Sequence, residues 1–309
     1  MTGPTEHAFG SAPSGIMQPP GVVLPDARMF SRRALRLAEL ADRVPALEGF
    51  LEFMALVAQA QQRVLTDRAP AFEPGAFDLA LEHGLPPLGT GPLRRDLDWR
   101  SDLSALLDAL DVQAPTQQRF LLDAVRGMPA EAVDALADDV LEARPGPQAH
   151  RGLMVLIAAA LQVTWSRLAM ALPRPPRRPS QAARGLCPCC GSAPVSSVIH
   201  IERHRSGVRY LQCGLCATQW HLERVRCTLC NEGGHLHYLG LEGADGKEVL
   251  PVQAETCSAC HTYLKVIQRE FNGRADPVAD DLASLPLDLM LAEQGTFARS
   301  GYNPLLIVG

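Results

Sequence analysis

The chain has almost no lysine, with Lys247 and Lys265 the only two among 29 basic residues. That is a compositional bias toward arginine and carries no mechanism. Aromatics are scarce too, at 5% of 309 residues. No charge of one sign dominates: the formal net charge is −5 and the pI about 6.0, which excludes a surface built throughout to hold nucleic acid. Long hydrophobic runs are missing as well. The strongest, "GLMVLIAAALQV" at 152–163, falls short of the ~20 residues a membrane span needs and reads as a buried core helix. The opening "MTGPTEHAFGSAPSGIMQPPG" lacks the basic, apolar, small-residue order of an export signal. Rich in Gly, Pro and Ser, residues 1–27 read as a disordered lead. These features point to the cytoplasm, where paired cysteines are metal ligands before they are disulfides. H-E-x-x-H, G-x-S-x-G and P-loop motifs are absent, so the familiar hydrolase and nucleotide-binding chemistries have no motif here.

What is present changes character once along the chain. Residues 28–172 carry apolar positions at helical spacing and predict a helical bundle. Ser31 is placed to cap a first helix that stops at Pro45, and Leu47 through Leu65 continue the pattern in a second. "DWRSDLSALLDALDV", "PTQQRFLLDAVRG" and "PAEAVDALADDVLEA" follow, the last two opened by proline. A long apolar helix from Gln148 to Leu172 is expected at the centre. Then "PRPPRRPSQAARG" at 173–185, with no acidic residue, reads as a semi-extended linker open to proteolysis. Past it come short β-like runs such as "SSVIHIERH" and "VRYLQC", interrupted by cysteines. A metal domain is expected over 186–271, then a connector and closing helix over 272–309 that Pro286 interrupts. The fold class is therefore α+β.

Four C-x-x-C pairs concentrate in the second half: Cys187/Cys190, Cys213/Cys216, Cys227/Cys230 and Cys257/Cys260. A tight turn with this spacing aims two sulfurs at one point, and two such turns complete a tetrahedral S4 site. The intervals alternate long, short, long. A ribbon needs a hairpin between its two knuckles, which pairs Cys187/Cys190 with Cys213/Cys216 and Cys227/Cys230 with Cys257/Cys260. Cross-braced pairing, first with third and second with fourth, is the alternative. Zinc ribbons and rubredoxin-type iron sites share this ligand set, so spacing alone does not separate the metals. Cys189, inside "CPCC", is left over as a bystander.

Other candidates weigh less. His200, His204, His221, His235, His237 and His261 lie near the knuckles, but eight thiols already saturate two sites. Asp280 and Asp281 read as acids at a solvated helix N-terminus. Trp220 and Tyr263 are offered either as exposed interface anchors or as packing residues of a small core. Closed S4 sites leave no position for substrate, which favours structural or electron-holding metals over catalytic ones. Between Arg184 and Glu270 nine basic residues face eight acidic ones, a weak footprint for nucleic acid.

The order "CPCCGSAPVSS", "RYLQCGLCATQWHLERVRCTLC", "AETCSACHTYLKV", "DDLASLPLDLMLAEQG" and a terminal "NPLL" resembles the formate dehydrogenase accessory protein FdhE family. The likeness is close over the carboxy-terminal half; the amino-terminal half matches in helical character and length. It implies a cytoplasmic, non-catalytic assembly factor that acts on the catalytic subunit of respiratory formate dehydrogenase before export. It also implies two rubredoxin-type irons, zinc being the alternative, held by the eight paired cysteines. The family usually has another residue where Cys189 stands. The competing functions are a nucleic-acid-binding zinc ribbon and a rubredoxin-like one-electron carrier.

Overall fold

Apolar residues at helical spacing produce α1 (Met29–Arg43), α2 (Glu48–Asp67), α3 (Asp78–His83), α4 (Trp99–Asp111), α5 (Thr116–Arg126), α6 (Ala130–Leu141) and α7 (Arg151–Met170). The computed structural model describes residues 19–306 except 71–72, 74, 91–96, 181–182, 201–206, 243–247 and 270. Ser31 does not cap α1, which already begins at Met29. Arg28 stands at the N-cap with no side-chain cap bond, and Asp26 before it accepts the Arg28 N–H on its carboxylate at 2.8 Å and the Met29 N–H on its carbonyl at 3.2 Å. The Ser31 N–H instead donates to Gln62 Oε1 at 3.0 Å. Pro45 ends α1 as expected, with a 3₁₀ turn over Pro45–Leu47 before α2. Pro115 and Pro129 stand one residue before their helices, at the N-cap.

Helix α7 is apolar all round and lies inside the fold, against α2, α4, α5 and α6. By length and composition Gln148–Met170 could cross a membrane, but 89% of the apolar window is buried in this chain. Its few polar side chains are partnered. The Gln61 side-chain amide donates to Ala159 O and Gln162 Oε1, both at 2.9 Å. Arg167 holds the buried Asp102, which also accepts from the Thr164 hydroxyl at 2.6 Å.

The second half repeats one succession: knuckle, strand, strand, knuckle, strand. A short strand β1 (Val22–Val23) comes from the amino terminus. The first ribbon is β2 (Pro194–Ile199), β3 (Arg209–Cys213) and β4 (Gln219–His221). The second is β5 (Leu236–Glu242), β6 (Glu248–Cys257) and β7 (Thr262–Gln268), and β8 (Ala298–Arg299) follows near the carboxy terminus. Each ribbon is antiparallel internally. The two join edge to edge through a parallel pair, β2 with β7, so the sheet order is β1-β4-β3-β2-β7-β6-β5, with β8 beside β7. A buried ion pair crosses the join: Arg209 Nη2 lies 2.7 Å from Glu255 Oε1, and the Tyr238 hydroxyl donates to Glu255 Oε2 at 2.7 Å.

Two expectations about the termini need correction. The disordered lead was placed over 1–27, yet Val22 and Val23 pair with Trp220 and Gln219. The Tyr210 hydroxyl also donates to Pro20 O at 2.8 Å. These backbone bonds hold the segment from residue 20 onward; residues 1–18 lie outside the described residues. Asp280 and Asp281 do sit on a helix near its start, in α8 (Pro277–Ala283), but neither is solvated. Asp280 meets Arg36 Nε at 3.0 Å, from α1. Asp281 meets Arg299 Nη2 at 2.7 Å, Asn303 Nδ2 at 2.8 Å and Lys265 Nζ at 3.3 Å. Buried carboxylates persist only with such partners. Helix α8 lies between α1 and β2, and Pro286 opens the last helix, α9 (Leu285–Gln294).

The Pro/Arg stretch carries no helix or strand where it is described, and it is strapped to the first ribbon. Arg178 pairs with Glu223 at 2.5 Å, and Trp220 Nε1 donates to Arg184 O at 2.7 Å. One continuous apolar core runs from α1 through α7 to the first pair of knuckles.

Candidate metal centres

Each knuckle turns on a residue in the left-handed region directly after its second cysteine: Gly191 at φ 80°, Ala217 at 57°, Asn231 at 66° and His261 at 55°. Glycine adopts that region freely and asparagine readily, so the cost of the turn falls chiefly on Ala217 and His261. The turn closes when the N–H of this residue bonds the carbonyl of the first cysteine, at 2.9 Å for Gly191, 3.1 Å for Asn231 and 2.9 Å for His261. Backbone N–H groups then point at sulfur, Cys189 N at Cys187 Sγ and Leu215 N at Cys213 Sγ, both 3.4 Å.

These turns gather two clusters. Cys187, Cys190, Cys213 and Cys216 have all sulfurs within 4.8 Å of one another, and so do Cys227, Cys230, Cys257 and Cys260. Across the first, Cys187 Sγ lies 3.6 Å from Cys216 Sγ and Cys190 Sγ 3.5 Å from Cys213 Sγ. Across the second, Cys227–Cys260 and Cys230–Cys257 are both 3.7 Å. A tetrahedral ion with bonds of roughly 2.3 Å would set sulfurs about 3.8 Å apart, so both cages have the size of an S4 metal site. Adjacent ribbon knuckles are the ones that meet; the cross-braced arrangement is not formed.

Burial and mutual hydrogen bonds shift the thiols in opposite directions. Burial pushes Cys187 and Cys213 well up, and Cys227 up to about 12. Burial also works to raise Cys216, but hydrogen bonds from Cys187, Cys189, Cys190 and Cys213 carry it well below its ordinary value. A cation at the centre of the four sulfurs would offset the burial that disfavours their thiolates. Hydroxyls two residues past the second cysteine back this up: Ser192 lies 3.4 Å from Cys190 Sγ, Thr218 3.2 Å from Cys216 Sγ and Thr262 3.1 Å from Cys260 Sγ. Against a thiolate each is a donor. The pattern C-x-x-C-x-[ST] occurs three times in the sequence, and the Cys227/Cys230 knuckle has Glu232 at that place.

The two cages differ in cover. All four cysteines of the first are buried, and its knuckle tips lie under the helical half. Leu88 N–H donates to Cys189 O at 2.8 Å, Gln162 Nε2 to Gly214 O at 2.6 Å and Ser166 Oγ to Leu215 O at 3.5 Å. Gly214 has no room for a side chain: a Cβ there would stand 2.8 Å from Tyr302 O. In the second cage Cys227 and Cys257 are buried while Cys230 and Cys260 are partly exposed.

Cys189 is fully buried beside this first cage without joining it. Its thiol is pushed well up, first by its hydrogen bond to Cys216 and then by burial. Among the described residues no histidine joins either cluster. His200 is buried with Nε2 3.1 Å from Gln219 Oε1, and His221 packs edge-on against Tyr210. His261 closes the fourth knuckle and faces Phe297, while His235 and His237 are exposed. His204 lies outside the described residues. Trp220 and Tyr263 are buried, which removes them as exposed anchors. Trp220 pins the linker, and the Tyr263 hydroxyl donates to Asp288 at 2.8 Å.

Comparison with known proteins covers the whole described chain. Residues 19–182 match the family model "FdhE, N-terminal", 186–224 "FdhE, central domain" and 225–306 "FdhE, C-terminal domain". A "Protein FdhE homolog" of Edwardsiella ictaluri is 38% identical over 316 residues, covering 99% of this chain and 98% of that one. "Protein FdhE" of Salmonella paratyphi A is 37% identical over 282 residues, or 91% and 89%. The crystal structure of the FdhE protein from Pseudomonas aeruginosa superposes with a TM-score of 0.80 at 35% identity, over 94% of this chain and 100% of that one.

Proposed function

From the premise that the chain belongs to the FdhE family, we propose that it is a non-catalytic assembly factor for respiratory formate dehydrogenase. It binds the immature catalytic subunit in the cytoplasm and carries two metals, each held by four cysteines. The observation that carries this reading is the pair of S4 cages. Each supplies four thiols of tetrahedral size to one ion, which leaves no coordination position for a substrate. The ligands are Cys187, Cys190, Cys213 and Cys216 in one site and Cys227, Cys230, Cys257 and Cys260 in the other. The ions are iron in rubredoxin-type coordination, with zinc as the alternative. An all-thiolate cage suits either, and hydroxyls and N–H groups aimed at sulfur offset the excess negative charge. The metals fix the four turns, so they hold the sheet and the surface it presents.

Metal content and visible absorbance of aerobically purified protein separate the two ions: colour with two irons per chain fits the iron reading, colourless protein with two zincs removes it. The function is tested by co-purification from a host that expresses the catalytic subunit. Wild-type protein should capture the subunit, and protein lacking the ligands should not. Capture of nucleic acid in place of the subunit would overturn the reading. A second reading, a one-electron carrier, draws on the partial exposure of Cys230 and Cys260. It requires bound iron that cycles reversibly with a redox partner.

A further inference from the structure

The two ribbons repeat the same succession, so corresponding knuckle positions can be compared within one molecule. The third residue of each C-x-x-C is no ligand, and its cover differs between the two ribbons. In the first ribbon these are Cys189 and Leu215, 0% and 4% exposed, covered by the helical half of the chain. In the second ribbon they are Leu229 and Ala259, and both are exposed, Leu229 at 62%. In the same segment Val225 is 66% exposed, and Leu186, 48% exposed, follows Gly185, which abuts Thr228 of the same knuckle. Exposed aliphatic side chains beside a rigid turn mark a binding face more readily than an ordinary surface.

The first ribbon shows what covers a face of this kind. Helix α7 lies against it, sharing one apolar core with Leu215, and the Gln162 and Ser166 side chains bond the carbonyls of Gly214 and Leu215. The second ribbon adds a charge preference. Arg224 and Arg226 are exposed on either side of Val225, and among the described residues neither pairs with a carboxylate. Glu223, the nearest acid in sequence, is already held by Arg178.

We infer that the knuckle face of the second ribbon, centred on Leu229 and Val225, docks an amphipathic helix of the client whose apolar stripe is bordered by acidic residues. This rests on the assembly-factor reading above and supplies the contact surface that the reading leaves open. The helix seats as α7 seats on the first ribbon, its apolar stripe on Leu229 and Val225, its acids toward Arg224 and Arg226.

The test uses the full-length, metal-loaded chain co-expressed with the formate dehydrogenase catalytic subunit. A photo-cross-linking p-benzoylphenylalanine is placed at 225, at 229, or as a control at 120, where Phe120 is equally exposed on the helical half. In parallel, Leu229→Glu, Val225→Glu and Phe120→Glu are compared for capture and metal content. Cross-links to the subunit from 225 and 229 but not 120 are expected, with capture by the first two variants at least tenfold lower at unchanged metal content. Should Leu229→Glu lose metal, Val225→Glu, outside the cage, and the cross-links decide. Wild-type capture with no cross-link from 225 or 229, and undiminished capture by Val225→Glu, overturns the docking face and leaves the assembly reading standing. Cross-links from 229 to a second copy of this chain overturn it as well. A wild-type chain that captures no subunit overturns both.

Discussion

Nine cysteines share one half of this chain, and their neighbours decide what each does. Cys190 and Cys189 are adjacent, equally buried and near the same partners, yet only Cys190 turns its sulfur into the cage. Cys190→Ser should therefore remove the first-site metal, and any of the other seven ligands should cost the metal of its own site. Cys189→Ser should leave both metals in place and cost about 1–3 kcal/mol for the buried hydroxyl. Metal per chain by elemental analysis, with urea denaturation, checks both; metal loss in Cys189→Ser equal to that in Cys190→Ser would make Cys189 a ligand. A second prediction concerns Asp281. Burial works to raise its carboxyl, but Arg299 and Lys265 together hold it below the usual carboxylate range. Because its folded value is lowered, its stabilisation is complete above an unfolded pKa of about 4 and drains away as pH falls through the folded value. Asp281→Ala leaves Lys265 and Arg299 with Asp288 as their one remaining carboxylate among the described residues and should cost about 2–4 kcal/mol near neutral pH. The gap between variant and wild type should close in acid. A gap that widens as pH drops from 5 toward 2 would refute the assignment.

At the scale of elements, the two ribbons have the same plan and different surroundings. The first cage is sealed by α7, the segment at Leu88 and the carboxy-terminal tail, while two cysteines of the second are partly exposed. A chelator should strip the second site first, and alkylation during stripping should mark Cys230 and Cys260 well before Cys190 or Cys216. Mass spectrometry of time points reads the order directly, and simultaneous loss from both sites would mean the cover does not control exchange. The contact at Gly214 gives a matching structural test. Gly214→Ala drives a Cβ to 2.8 Å from Tyr302 O and 2.9 Å from Pro304 Cδ, so it should destabilise the fold by about 1–3 kcal/mol. Metal should then become labile in the first site and not the second.

For the whole molecule, the halves that composition separates at 173–185 share a core. Gln162 reaches across to Gly214, Tyr302 OH bonds Val140 O at 2.9 Å, and α8 packs on both α1 and β2. Limited proteolysis should still cut first in the exposed part of the Pro/Arg stretch. The two fragments should nevertheless stay together through gel filtration and part only in denaturant. Fragments that separate under native conditions would show the halves to be independently folded, with the shared core contributing little.

The sequence by itself determined most of the elements and the candidate ligands. Helical periodicity placed α2, α4 and α7, proline ended α1, and C-x-x-C spacing named eight sulfurs and favoured pairing by ribbon with cross-bracing left open. These are short-range facts: a repeat of 3.6 residues or a four-residue turn is written in consecutive side chains, as is the family likeness carried by the words around the cysteines. What only the tertiary structure decided are relations between segments far apart in the chain. The parallel join of β2 to β7 turns two ribbons into one sheet. The burial of Asp280 and Asp281 depends on Arg36, Lys265 and Arg299 arriving from elsewhere, so acids that look solvated by local charge are not. Trp220 and Tyr263 look like surface anchors until Arg184 and Asp288 are brought to them. Two cages with one ligand set differ because α7 covers the first and leaves the second open. No local pattern encodes which knuckle a distant helix will cover, since the residues that make the contact lie dozens of positions away and their pairing exists only in the packed chain.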